Sequence, residues 1–232
     1  MPFPPFQALM IDLDGTMVDT MADFEAALNL ALADIDLPKV AREVVSIAVG
    51  KGSEHLVRTV LTHQLGLPEV QSSGLVCNST TVDTYYEPAF QRYQHHYGRV
   101  NGQHAEVYPG VREGLQAFQA KGWPMACLTN KPTAFAKDLL ARKGLAGFFG
   151  QVFGGDAFPR KKPDPLPLLE TCQALGSLPP HTLMLGDSQN DAQAARAAAC
   201  PVVLVTYGYN HGEPIRGVDC DGFIDSFTEL RL

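Results

Sequence analysis

Ala8-Leu9-Met10-Ile11-Asp12-Leu13-Asp14-Gly15-Thr16 sets four apolar residues in front of two carboxylates and a glycine turn. The apolar run is too short for a helix and has no polar face, so it reads as a strand buried on both sides, as in a parallel sheet under helices. Strand alternation puts Asp12 and Asp14 on the same side. An aspartate beside a glycine is a common turn element, but two carboxylates directly behind a buried strand carry a large desolvation cost. A divalent cation relieves that cost, and hard oxygen ligands favour magnesium over zinc.

Further along the chain the same pattern recurs. Met125-Ala126-Cys127-Leu128 precedes Thr129-Asn130, Leu183-Met184-Leu185 precedes Gly186-Asp187, and Gln151-Val152-Phe153 and Pro201–Val205 are two further strand candidates. Helices are expected between them. Val111, Leu115 and Phe118 share helical spacing, Gly144 stands as a cap after a helix beginning near Pro132, and Asp164-Pro165 opens a helix that Gly176 closes. Ser188 opens an alanine-rich helix over Ala192–Ala199. Strands alternating with helices predict an α/β, Rossmann-like core with a parallel sheet, whose ligands bind at the carboxyl ends of the strands.

Between residues 19 and 95 the pattern changes. Phe24, Ala27, Leu28, Ala31, Leu32 and Ile35 form one apolar helical stripe, Leu56, Val57, Val60 and Leu61 another, and no clear strand intervenes. This predicts an α-helical cap inserted into a core made of residues 1–18 and 96–232.

Three more stretches can carry chemistry. Gly186-Asp187-Ser188-Gln189-Asn190-Asp191 adds two acids on a strand-to-helix turn, and Asp187 can share a cation with Asp12. Asp191 has two readings, as a metal-site acid or as the third residue of a Ser188 capping box. Thr129-Asn130-Lys131-Pro132 brings a hydroxyl and backbone N–H groups to the start of a helix, where an anion can sit. Arg160-Lys161-Lys162 gathers three cations, which alone would be a solvated loop but beside these acids serve as a counter-charge for phosphate.

Composition narrows the field. Among 232 residues, 18 Lys+Arg against 25 Asp+Glu leave a net charge of −7, which argues against an extended nucleic-acid face. Hydrophobic residues at 45% and charged residues at 19% suit a folded globular chain. The start, Met-Pro-Phe-Pro-Pro-Phe, lacks an export signal, and the longest apolar run, Ala197–Val205, is far short of a membrane span, so a cytoplasmic protein is expected. The 5 cysteines are scattered with no Cys-x-x-Cys, which predicts reduced thiols rather than a disulfide framework or zinc ribbon.

In order, Asp-Leu-Asp-Gly-Thr (12–16), Leu-Thr-Asn (128–130), Lys-Lys-Pro (161–163) and Gly-Asp-Ser-Gln-Asn-Asp (186–191) resemble the motifs of the haloacid dehalogenase (HAD) superfamily of phosphohydrolases. The resemblance implies a nucleophilic Asp12 that becomes an aspartyl phosphate, and Asp14 as general acid and then base. It implies Thr129 and Lys162 as phosphoryl ligands, with Gly15, Thr16 and Asn130 around the substrate. Magnesium would take the carboxylates of Asp12 and Asp187 and the carbonyl of Asp14, with Asp191 in support. Met17, Thr20 and Ala199 stand where Leu, Ser and Gly are frequent in the family, and none of these changes removes a catalytic group.

The segment Leu204–Glu213, together with Thr129-Asn130-Lys131-Pro132, further resembles the bacterial phosphoglycolate phosphatases, which implies 2-phosphoglycolate as the small-molecule phosphomonoester. Specificity is then expected in the cap, first at Gly50-Lys51-Gly52, where Lys51 and backbone N–H groups can meet a substrate carboxylate, and second at Arg58. His55, His63, His95 and His96 have no metal-ligand spacing. Phosphatases of other sugar or amino-sugar phosphates and sugar phosphomutases share the same core chemistry, and a non-enzymatic phospho-acceptor switch shares its residue types. Asp14 argues against a dehalogenase and against a phosphonoacetaldehyde hydrolase. Monomer and homodimer both remain open.

Overall fold

The computed structural model describes residues 6–72 and 76–230. Residues 1–5, read above as lacking an export signal, lie outside the described residues. The strands are β1 (Ala8–Ile11), β2 (Val18–Asp19), β3 (Glu106–Val107), β4 (Met125–Leu128), β5 (Gln151–Phe153), β6 (Thr182–Gly186), β7 (Val202–Val205) and β8 (Gly222–Ile224). Between β2 and β3 lie helices α1 (Met21–Ala33), α2 (Arg42–Ala48), α3 (Ser53–Leu65), α4 (Pro68–Gln71) and α5 (Ser79–Val100). Four more, α6 (Val111–Ala120), α7 (Thr133–Arg142), α8 (Leu166–Leu175) and α9 (Gln189–Ala197), alternate with the later strands.

Six strands form one parallel sheet in the order β5-β4-β1-β6-β7-β8. Strand alternation divides its side chains between two layers. Leu9, Ile11, Cys127, Leu183 and Leu185 pack with Leu115, Phe118, Leu139 and Leu140 of α6 and α7, while Met10, Leu128, Met184 and Leu204 pack with Leu168, Cys172, Ala194 and Ala195 of α8 and α9. That burial on both faces is why these strands are continuously apolar. The chain steps from β1 to β4 on one side and later to β6 on the other. The ends of β1, β4 and β6 therefore lie side by side at a topological switch point, where open α/β sheets form ligand crevices.

The helix punctuation follows the sequence reading. Gly144 (φ 64°) follows α7, Gly176 (φ 65°) closes α8, and the Asp164 carboxylate accepts from Leu166 N–H at 2.9 Å. The predicted apolar stripes build the core of the helical insertion together with Tyr93 and Tyr97 of α5, and Ile35 packs against it just past the end of α1. Two elements differ from the sequence reading. Helix α5 carries Pro88 and buries only Val82, Ala89, Tyr93 and Tyr97, so it has little apolar stripe to detect, and it runs past residue 95 to Val100. The ribbon of β2 and β3, pairing Val18 with Val107 and Asp19 with Glu106, joins the insertion to the sheet and is too short to show periodicity.

No described helix is long and apolar enough to cross a membrane. All five cysteines are free thiols.

Candidate active site

The turn after β1 is shaped by Gly15, whose φ of 84° lies in the left-handed region that glycine adopts freely. A Cβ there would also overlap the Asp187 carboxylate. This close approach brings the turns after β1 and β6 together. Asp12, Asp187 and Asp191 each present an oxygen within 4.8 Å of the others, all buried. Thr16 donates to Asp187 Oδ1 at 3.2 Å and Tyr209 N–H to Asp187 Oδ2 at 2.8 Å. Thr16, expected beside the substrate, instead steadies this acid.

Asp191 closes a capping box and also belongs to the acidic group. Its Oδ2 accepts from Ser188 N–H and Oγ as the N3 member of a capping box on α9, while Oδ1 accepts from Lys162 Nζ at 2.7 Å. Lys162 also donates to the Leu128 carbonyl at 2.8 Å and stands 3.0 Å from Asp12 Oδ1, in ion-pair contact but outside hydrogen-bonding geometry. Burial raises the Asp12 carboxyl to about 6, with Lys162 opposing and Asp191 adding to the rise. Burial, then Asp191 and Asp12, hold Asp187 well above the usual carboxylate range. Burial disfavours the Lys162 ammonium, yet Asp12 and Asp191 outweigh it and push its pKa up.

Three carboxylates against one ammonium leave two negative charges uncancelled, and Asp12 Oδ1 is buried without a hydrogen-bond donor. An all-oxygen donor set with this charge deficit fits a hard divalent cation.

Asp14 belongs to a second cluster. Its Oδ1 accepts from Thr20 Oγ1 at 2.8 Å and from Lys131 Nζ at 2.8 Å, and its Oδ2 lies 3.0 Å from the same ammonium. Lys131 also donates to the Tyr97 hydroxyl at 2.5 Å and sits 4.6 and 4.7 Å from the ring centres of Phe24 and Tyr97. The Asp14 carboxylate is therefore turned away from the Asp12, Asp187 and Asp191 oxygens. Both aspartates after β1 still line one cavity, together with Thr129, Asn130, Lys131, Phe24, Leu56, Tyr93 and Tyr97.

Gly50 and Gly52 line this cavity, but Lys51 does not. The Gly50 carbonyl accepts from the side-chain amides of Asn130 at 2.9 Å and Asn190 at 3.2 Å, so this loop ties the helical insertion to the turns after β4 and β6. Asn130 also donates to the Lys162 carbonyl at 2.8 Å. Arg58 lies away from the cavity, exposed, paired with Asp83 at 2.6 Å and resting on Tyr86. The residues the sequence reading did not assign are Thr20, Phe24, Tyr97, Lys131 and Tyr209. Lys131 falls in the Thr-Asn-Lys-Pro run, Phe24 in the first apolar stripe and Tyr209 in the Leu204–Glu213 segment, while Tyr97 has no local signal.

The family model of haloacid dehalogenase-like hydrolases matches residues 6–199. The chain belongs to this family. It is 41% identical over 231 residues to a phosphoglycolate phosphatase of Thiobacillus denitrificans, covering 99% of this chain and 96% of the relative. A phosphoglycolate phosphatase of Nitrosospira multiformis is 42% identical over the same coverage. Among solved structures, a crystal structure of a predicted phosphoglycolate phosphatase from Haemophilus somnus superposes with a TM-score of 0.87 at 31% identity, over 97% of this chain and 96% of that one. This hydrolase thus shares fold and sequence with its relatives along nearly its whole length.

Proposed function

We propose that this hydrolase is a magnesium-dependent phosphomonoesterase that converts 2-phosphoglycolate to glycolate and phosphate. The observation that carries the reaction is the separation of the two carboxylates that follow β1 on one cavity wall. Asp12 belongs to the acidic cluster with Lys162, and Asp14 faces the pocket beside Phe24 and Tyr97. The substrate rests on the relatives that carry this name at 41% and 42% identity.

Asp12 attacks phosphorus, forming an aspartyl phosphate as the P–O bond to the leaving group breaks, and Asp14 gives that oxygen a proton. Asp14 then takes a proton from water, which attacks phosphorus and releases phosphate and a regenerated Asp12. Two easier displacements replace one hard one. Thr129, on the cavity wall, and the Lys162 ammonium bind phosphoryl oxygens and meet the charge that develops on the transferring group. Asp12, Asp187 and Asp191, with the Asp14 carbonyl, would hold the magnesium ion. When bound, it offsets the repulsion between an anionic nucleophile and an anionic phosphate. The helical insertion of residues 19–95, extended to Val100 by α5, acts as a cap that closes over the leaving group. Five free thiols suit a reducing, cytoplasmic setting.

The test is kcat/KM in magnesium for 2-phosphoglycolate, sugar phosphates, nucleotides and amino-sugar acid phosphates, with Asp12→Asn as the blank. Preference for 2-phosphoglycolate is expected. A better ester elsewhere in the panel overturns the substrate but keeps the mechanism, and a stable phospho-Asp12 without turnover overturns the enzyme reading.

A further inference from the structure

The cavity wall contains one cation for which the phosphoryl chemistry has no use. Lys131 is 5% exposed, and lysine is almost never so buried unless paired. Its ammonium is held by the core acid Asp14 and by Phe24 and Tyr97 of the cap helices α1 and α5. The other walls of the pocket are largely apolar or aromatic, formed by Val49, Leu56, Tyr93 and Pro132, and Lys131 is the only cation among the lining residues. Lys162, which is not among the lining residues, sits with Asp12 and Asp191 on the phosphoryl side. Lys51 is exposed and off the wall.

We propose that Lys131 is the specificity-determining residue of this site, selecting leaving groups that carry a carboxylate next to the ester oxygen. The proposal rests on the 2-phosphoglycolate reading and names the group that recognises that substrate's acid end. The Lys131 ammonium has three N–H donors, and an incoming carboxylate competes for one of them only with the neutral Tyr97 hydroxyl. Charge-assisted pairing wins that exchange, and the low-dielectric walls strengthen it. Because Lys131 comes from the core and Phe24 and Tyr97 from the cap, the acid end is read where the two parts meet.

The experiment compares 2-phosphoglycolate with 2-hydroxyethyl phosphate, which replaces the carboxylate by a neutral hydroxymethyl group, on the full chain in magnesium. Wild type should favour the acid. Lys131→Met should cut the ratio of the two kcat/KM values about 100-fold, as expected when one partner of a buried charge pair is truncated. The loss should fall mainly in KM, and Lys131→Arg should restore part of the ratio. If Lys131→Met does not fold by circular dichroism, Lys131→Gln, with a neutral amide, is read on the same ratio. An equal loss on both esters with the ratio intact overturns the proposal alone and leaves Lys131 as a support for Asp14. A wild type that does not prefer the acid overturns the 2-phosphoglycolate reading and this proposal with it.

Discussion

The core side of the cavity is built from charge and the cap side from rings and backbone. Around the ends of β1, β4 and β6 lie six buried ionisable groups in two clusters, Asp12, Lys162, Asp187 and Asp191 in one and Asp14 and Lys131 in the other. Facing them, the cap contributes Phe24, Leu56, Tyr93 and Tyr97 and the carbonyl of Gly50. Phosphoryl transfer requires fixed charges, which only a rigid sheet can hold in register against their desolvation cost. A leaving group needs enclosure and exclusion of water, which helices with an apolar face supply.

The largest test of this contrast is Asp12→Asn. It should lower kcat at least ~10⁴-fold, in line with loss of a catalytic group that acts as part of a unit. It should also raise the melting temperature of the metal-free protein, because one of three crowded carboxylates is gone. A lower melting temperature would mean that the core cluster is not a site of repulsion.

The second test uses metal and pH together. The Asp12 pKa is raised from 3.8 to about 6 by burial, so its contribution to metal-free stability is full below pH 3.8 and is lost as pH rises through about 6. Asp187, raised for the same reason, adds loss in the same direction. The gap in melting temperature between magnesium-loaded and EDTA-treated protein should therefore widen from pH 5 to pH 7, and EDTA should stop turnover reversibly. A constant gap across that window would break the charge account of the core.

On the cap side the expected effects are smaller. Tyr97→Phe removes the hydroxyl that accepts from Lys131 while keeping the ring. Because the substrate carboxylate must displace this hydroxyl, losing a competing bond of about 1 kcal/mol predicts a gain of up to roughly 5-fold in kcat/KM for 2-phosphoglycolate, with the fold intact. A loss as large as that of Asp12→Asn would erase the division between the two sides. Smallest is Ala199→Gly, just beyond α9, where Ala199 holds a φ of 57°. Relief of left-handed strain at a non-glycine residue is worth about 1 kcal/mol, and for a chain of this size that is a rise of roughly 2–4 °C in melting temperature.

The core side was far more legible than the cap side. Asp12, Asp14, Thr129, Lys162, Asp187 and Asp191 stand behind apolar strands or beside glycine and proline punctuation, so strand period and turn chemistry expose them in the primary structure. The stripe of α1 was legible for the same reason. Helix α5 was not, because its buried Tyr93 and Tyr97 sit among Gln, Arg and His, and a tyrosine that packs its ring while using its hydroxyl leaves little apolar signature. Gly50-Lys51-Gly52 drew attention to a lysine, while the structure uses the loop's Gly50 carbonyl.

What the sequence by itself determined is the α/β architecture and the inventory of acids, cations and hydroxyls beside the strand ends, since both follow from local periodicity and from the cost of burying charge. Only the tertiary structure decided how those charges pair. Lys131 meets Asp14 across 117 residues and Tyr97 across 34, and Tyr209 N–H reaches Asp187 across 22. Such partnerships depend on which strands neighbour one another and on how the helical insertion packs against their ends. No local pattern encodes them, because long-range packing sets the direction of a loop side chain.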